Sequence, residues 1–404
     1  MDGDRPIESR SDARALRSVA VQFFVNGVVF SSFIPRLPEI RTEIGVSLGG
    51  LGLLLTLGSL GGLVGSALCG RLIERFGSRT VLVLAAAGMV VTLPVIGFAS
   101  APGVFLAALL LLQMFDVLTD VSMNLQGSWL SRRRHTPVIN RLHGLWSVGT
   151  VAGGALATVA AGAVSLRAHL SVVALVLVVA VAALAPGLVA GDLGSDEPTP
   201  ATERAPLVRA GFFAALALMA AAVEIVPSDW AALRLAEDFD LEPSRAGLGF
   251  VAFTMGMVAG RFGGDAATVR LGPRTVLRAA AATSALGGVL ATLVPWATVS
   301  IVGFAVAGLG ASVVFPGLYD RAAREPGRPG AMLGALTAGI RVGLLALPVT
   351  VGTLAGTAAL SVGGAMAVVI VPAAVGLLVL ANSSGRADPA GGATVAVSES
   401  GERL

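Results

Sequence analysis

The residues of this chain that could do chemistry lie inside long apolar runs rather than between them. Gln113, Asp116, Asp120, Asn124 and Gly127 fall in the run 103–129 at spacings of 3, 4, 4 and 3. On a helix that spacing draws one stripe along a single face. Two carboxylates one turn apart in a dry stripe suit the carriage of a proton near neutral pH. The same polar side chains could instead tie neighbouring helices together, with Asp116 near one end.

Other runs hold fewer candidates. Gln22 and Asn26, at i and i+4, offer uncharged hydrogen-bonding groups that could meet a sugar-like or amide-bearing ligand, or simply join helices. Glu224 lies several residues inside its run and is a second proton-carrier candidate, while Asp229, nearer the end, reads as an interface anchor or outer gate. Arg341 sits ten residues into a run, too deep to reach water easily; Glu224, Asp116, Asp120 or an anionic substrate could neutralise it. His143, near Ser147 and Arg141, could relay protons or be structural. An ionised side chain at the centre of a bilayer costs at least ~2.5–3.5 kcal/mol, so each of these needs a reason.

Enzyme chemistry finds no support. There is no Walker loop to bind ATP. His135, His143 and His169 with the single Cys69 give no metal-ligand spacing, and no Ser/His/Asp arrangement has a soluble domain to hold it. Neither a cofactor nor a metal is expected.

The elements that must carry these residues follow from composition. Charged residues make up 13% of 404 and hydrophobic residues 55%, with a mean hydropathy of +0.83. A soluble surface needs about 25% charged residues. The apolar runs are near 17–38, 48–70, 80–99, 103–129, 142–165, 169–190, 208–229, 246–265, 275–294, 299–319, 331–356 and 361–382. Each is long enough for a helix to cross about 30 Å of hydrocarbon. The expectation is an all-α membrane protein of twelve transmembrane helices, its 52 glycines serving close packing. No removable signal peptide is read at the N-terminus.

An even number of spans puts both termini on one side. With that side cytoplasmic, 22 of the 28 arginines fall inside, five outside (Arg36, Arg41, Arg167, Arg234, Arg245), and Arg341 within a span. Positive charge resists translocation, so both termini are expected in the cytoplasm. The arginines form no continuous patch, which argues against a nucleic-acid partner. The acidic, Pro-rich stretch 191–207 reads as a cytoplasmic linker. It separates a six-helix half at 17–190 from another at 208–382, with a cytoplasmic segment at 1–16 and a disordered cytoplasmic tail at 383–404.

The halves carry a repeat. Shifted by 195, segments 51–82 and 246–277 share ten identities in 32, among them Gly61/Gly256, Gly65/Gly260, Arg75/Arg270, Gly77/Gly272 and an RTVL run. A shift across an even number of helices makes the repeat parallel and places a binding cavity at the interface of the halves.

The loop Gly70-Arg71-Leu72-Ile73-Glu74-Arg75-Phe76-Gly77-Ser78-Arg79 resembles the signature loop between helices two and three of the major facilitator superfamily, with Glu74 for Asp and Ser78 for the first basic residue. In its second copy, Asp265 replaces Gly and Val269 the acid. The stretches 36–41 (RLPEIR), 120–127 (DVSMNLQG) and 143–147 (HGLWS), with Asp229-Trp230, are similar to the YbjJ-type bacterial inner-membrane branch, near the fucose-permease-like proteins.

The resemblance implies a secondary transporter working by alternating access, with helices one, four, seven and ten lining the cavity. The polar stripe leans toward a small polar substrate, a sugar or other metabolite, and Asp120, Asp116 and Glu224 carry the expectation of H+ as coupling ion; a monomer in the inner membrane is expected. Asp120 is the first choice of proton carrier because it matches the branch motif. The resemblance also implies a conformational latch at Gly70, Glu74, Arg75, Gly77, Arg79, Arg270 and Gly272. Such contacts hold the outward-facing state and break on inward opening. The alternatives are efflux of a drug or amphiphile, against which aromatic residues at 5% weigh mildly, and a non-transporting sensor of the same fold.

Overall fold

The computed structural model describes residues 10–136, 138–189, 207–325, 329–357 and 359–383. Positions 191–206 of the expected linker and the tail from 384 lie outside the described residues. Twelve helices among those described are long and apolar enough to cross a membrane: Ser11–Glu43, Leu48–Phe76, Ser78–Gly97, Pro102–Arg133, Arg141–Ala161, Leu166–Gly187, Leu207–Phe239, Pro243–Leu271, Pro273–Leu293, Ala297–Ala323, Gly330–Ala355 and Val362–Leu380, here spans one to twelve. In hydrocarbon each backbone N–H and C=O must be satisfied within the protein, and a helix does this within one segment.

Several spans outrun the apolar runs that signal them. Span seven continues to Phe239, ten residues past the expected end at 229. Its last turns are held by Arg234 and Asp238, an ion pair at i, i+4 that hydropathy reads as a stop. Span two is two helices, Leu48–Gly58 and Leu60–Phe76, interrupted at Ser59.

Packing follows the sequence repeat. Span one packs on five, two on four, three on four and six; span seven packs on eleven, eight on ten, nine on ten and twelve. Adding six to every member of the first set yields the second. The halves meet along two seams, span two against eleven and span five against eight, which the same operation exchanges.

The repeated glycines explain the crossings. A Cβ on Gly61 would lie 1.9 Å from the Leu110 carbonyl oxygen, and one on Gly256 would lie 2.0 Å from that of Ala305. Residues 110 and 305 are themselves 195 apart, so the crossings of two on four and eight on ten are equivalent. Any side chain there would push the backbones apart.

At the end of the bundle that carries the described termini, the halves stand apart. At the far end they close. Arg41, just past span one's main helix, pairs there with Glu237 at the end of span seven. Along the two–eleven seam, a Cβ on Gly52 would lie 2.4 Å from the Pro348 carbonyl oxygen, and Val349 N–H donates to Thr56 Oγ1 at 3.1 Å.

Candidate functional site

A cavity of about 1930 Å³ lies between the halves. Its lining runs from Arg141, Thr268 and Arg324 at the open mouth to Phe33, Ile34 and Asp229 towards the closed end. Spans one, four, seven and ten contribute to its wall, and so do two, five, eight and eleven, because the seams are part of it.

Gln113, Asp116 and Asp120 of span four line this cavity. Asn26 of span one lies opposite: its Nδ2 donates to Asp116 Oδ1 at 2.9 Å, and its Oδ1 accepts from Trp146 Nε1 of span five at 2.7 Å. One turn on, Asn124 Nδ2 donates to Asp120 Oδ1 at 3.0 Å, while Asn124 Oδ1 lies 3.1 Å from His143 Nε2. Each carboxylate of the pair is thus linked through an amide to span five. Neither has a cationic partner among the described residues.

Part of the expected stripe does not face the cavity. Asn124 is outside the lining, and a Cβ on Gly127 would meet Ile139 and Leu142 at 2.8 and 2.9 Å. Periodicity assigns a helix face, but here the start of span five covers the lower part of that face. Gln22 is likewise buried away from the cavity, one turn below Asn26, with its amide nitrogen unpartnered. Gln126, unremarked in sequence beyond its motif, bonds Ser78 Oγ and both backbone groups of Val189 at 3.0–3.1 Å, fixing the ends of spans three and six.

The charges of the second half are paired differently from expectation. Glu224 Oε1 lies 3.7 Å from Arg261 Nη2 of span eight. Arg261, grouped by sequence with the loop arginines, instead lies in the cavity wall; its Nη1 donates to Ser147 Oγ at 2.9 Å, and its guanidinium stacks 5.5 Å from the Trp146 ring centroid. Arg341 does not pair with Glu224, Asp116 or Asp120. Its Nη2 donates to Ser66 Oγ of span two at 2.9 Å. Asp229 lines the cavity beyond Glu224, without a partner among the described residues.

The signal for Arg261 was present in the repeat. The shift of 195 sets Ser66 opposite Arg261, so both seams are bridged at related positions by an arginine of the second half and a serine of the first. A second repeat stands at a shift of 198, where Arg36-Leu37-Pro38-Glu39 matches Arg234-Leu235-Ala236-Glu237. Arg36 and Arg234 are both buried at the far end, bonding the carbonyls of Val164 and Val294 at 3.1 and 3.2 Å.

The latch set is not assembled in this conformation. Glu74, Arg75 and Arg270 are exposed, Arg79 is half-buried, and none has an ion-pair partner among the described residues. Arg75 lies over the neighbouring Phe76 ring at 5.3 Å. Gly70 faces open space. Gly77 and Gly272 have φ of 78° and 82° with ψ near 150°, a backbone region open essentially to glycine alone, so the turn itself demands them.

Residues 19–228 match the family model of the Major Facilitator Superfamily. The chain belongs to that superfamily. An uncharacterized MFS-type transporter of Yersinia pestis is 30% identical over 348 residues, 85% of this chain and 90% of the relative. The membrane protein MosC of Rhizobium meliloti is 27% identical over 308 residues, covering 76% and 75%. Among solved structures, the nucleoside transporter NupG superposes with a TM-score of 0.70 at 11% identity, covering 93% of this chain and 98% of that one. A bacterial homolog of the human lysosomal transporter Spinster, inward-facing and unoccupied, gives 0.63 at 14% identity, covering 94% and 96%. Together they show a multi-pass membrane transporter with the superfamily fold. The YbjJ-type branch is not carried by these names.

Proposed function

We propose that this superfamily member is a proton-coupled secondary transporter of a small polar solute, a sugar or other metabolite, acting as a monomer in the cytoplasmic membrane. The observation that carries the reading is the pair Asp116 and Asp120, lining the cavity one turn apart with only amide partners. A carboxylate so placed avoids a buried charge by taking a proton, and releases it when the cavity wets. The two links to span five, Asn26–Trp146 and Asn124–His143, connect either protonation event to a helix of the seam.

The arginine distribution puts the termini, the 191–207 linker and the 383–404 tail in the cytoplasm, so the open mouth is the inward one. The halves 17–190 and 208–382 then rock about the seams. The latch of Glu74, Arg75, Arg79 and Arg270 would form as that mouth closes. One observation favours the second reading, efflux of an amphiphile: Phe30, Phe33, Trp146, Phe262, Phe315 and Tyr319 all line the cavity.

Proteoliposomes assayed for charge movement against sugars, organic acids, amino acids and cationic drugs test both readings. A current from one polar class that follows the pH gradient and disappears in Asp120→Asn and Asp116→Asn is expected. Transport indifferent to the gradient removes proton coupling. Response to hydrophobic cations alone selects efflux.

A further inference from the structure

Among the described residues, four arginines line the cavity: Arg141, Arg261, Arg324 and Arg341. Arg141 and Arg324 stand at the mouth, where water solvates them, and Arg324 also pairs with Asp320 at 2.9 Å. Arg261 has Glu224. Arg341 alone stands mid-span with a neutral partner, the hydroxyl of Ser66.

The asymmetry between acids and bases then matters. A carboxylate without a partner, such as Asp229, can shed its charge by taking a proton. A guanidinium cannot, because it stays protonated at any physiological pH. Among the described residues, Arg341 is therefore the one charge at mid-depth that neither a carboxylate nor a proton compensates. Ser66 engages a single N–H of its five, and the planar fork that remains matches a carboxylate in two parallel bonds.

We infer that the cavity holds an anion subsite at Arg341, and that the transported solute bears a carboxylate. This deepens the reading under Proposed function and rests on it: a monoanion bound at Arg341 would enter with a proton on each of Asp116 and Asp120, and the net positive charge that crosses is the current of that assay. Ser66 is a positioning residue that holds the guanidinium at the seam of spans two and eleven.

The test is thermal unfolding of the purified protein in lipid nanodiscs with matched compounds: glucuronate, glucose and glucosamine; lactate and lactamide; benzoate, benzamide and benzylamine. At least one carboxylate is expected to raise the melting temperature where its neutral and cationic counterparts do not. Arg341→Gln should weaken that binding about 30-fold or more, as loss of one partner of a desolvated charge pair does. Arg341→Lys, which keeps the charge and loses the fork, should fall between. Gel filtration of each variant separates loss of binding from loss of fold.

Stabilisation only by amines or neutral compounds, no stabilising carboxylate, or an effect untouched by Arg341→Gln overturns the inference. Proton uptake into proteoliposomes is measured with the stabilising carboxylate. Binding without proton movement leaves the anion subsite standing and removes the proton-coupled reading.

Discussion

Replacing Asp238 should damage this protein more than replacing any surface carboxylate. Asp238 ends span seven with two obligations. It pairs with Arg234, which is 5% exposed, and its oxygens accept the backbone N–H groups of Val362 and Gly363 at 3.1 and 2.8 Å, the first turn of span twelve. Arg234 also donates to the Val294 carbonyl at 3.2 Å and lies 4.4 Å from the Phe239 ring centroid. Asp238→Ala leaves a buried guanidinium without its counter-charge, a loss of about 3–5 kcal/mol. The two freed N–H groups belong to a helix start that water cannot reach easily, so part of a further ~1–3 kcal/mol applies; the terms share one network and do not add in full. At about 2–4 °C per kcal/mol for a large domain, the melting temperature should fall by roughly 6–20 °C. The internal control is Glu43→Ala, which breaks the exposed pair with Arg167 at 3.9 Å and should cost about 0.2–1 kcal/mol. The assay is thermal unfolding in one detergent, followed by intrinsic tryptophan fluorescence. A second comparison removes both charges: Arg234→Met with Asp238→Leu should be less harmful than Asp238→Ala, because no charge is left unpaired. Equal melting points for Asp238→Ala and Glu43→Ala would refute the burial argument, and a double variant worse than Asp238→Ala would show that span twelve's first turn dominates.

Two further predictions concern the turns and the closed end. Gly77→Ala and Gly272→Ala should each cost about 1–3 kcal/mol because of their positive φ, while Gly70→Ala, inside a helix and facing open space, should be neutral or stabilise by up to ~1 kcal/mol; thermal unfolding of the three variants checks this. Arg41 and Glu237 join the halves at the far end, so Arg41→Glu should raise labelling of a cysteine introduced at Asp229 by an externally added thiol reagent, and adding Glu237→Arg should restore protection. Unchanged labelling across that charge-swap series would show that the seams, not this pair, hold the end closed.

The spans were legible because bilayer thickness fixes a length and hydropathy marks it, and the two halves because RTVL and the paired glycines survive in both copies. The cavity was legible in outline: an acid inside a span has few reasons to exist, and Asp116, Asp120 and Glu224 all line it. What the sequence hid was pairing and depth. Arg341 and Ser66 are 275 residues apart, and nothing local says that a hydroxyl rather than a carboxylate meets the guanidinium. Arg261 lies a few residues from the end of its apolar run, so positive-inside bookkeeping absorbed it. Asn124 shares the face of Asp120, but a helical period carries no information about where a neighbouring helix covers that face.

The repeat that organises the fold also shows where the site departs from symmetry. The crossings of spans two on four and eight on ten match at a shift of 195, through Gly61 on Leu110 and Gly256 on Ala305, and again through Gly65 on Met114 and Gly260 on Leu309. By that register Asp116 corresponds to Ala311 and Asp120 to Phe315, so the carboxylate pair belongs to the first half alone. The charges at the seams go the other way. Ser66 corresponds to Arg261, and the register of the second repeat sets Asn26 opposite Glu224. The carboxylate pair Asp116 and Asp120 thus lines the cavity from the first half, and the guanidiniums of Arg261 and Arg341 line it from the second. A helix crossing tolerates little change, since any side chain at Gly61 or Gly256 forces the backbones apart, whereas a cavity wall has room for different side chains. The packing residues therefore keep the twofold relation, and the residues that would bind solute and proton are the ones that break it.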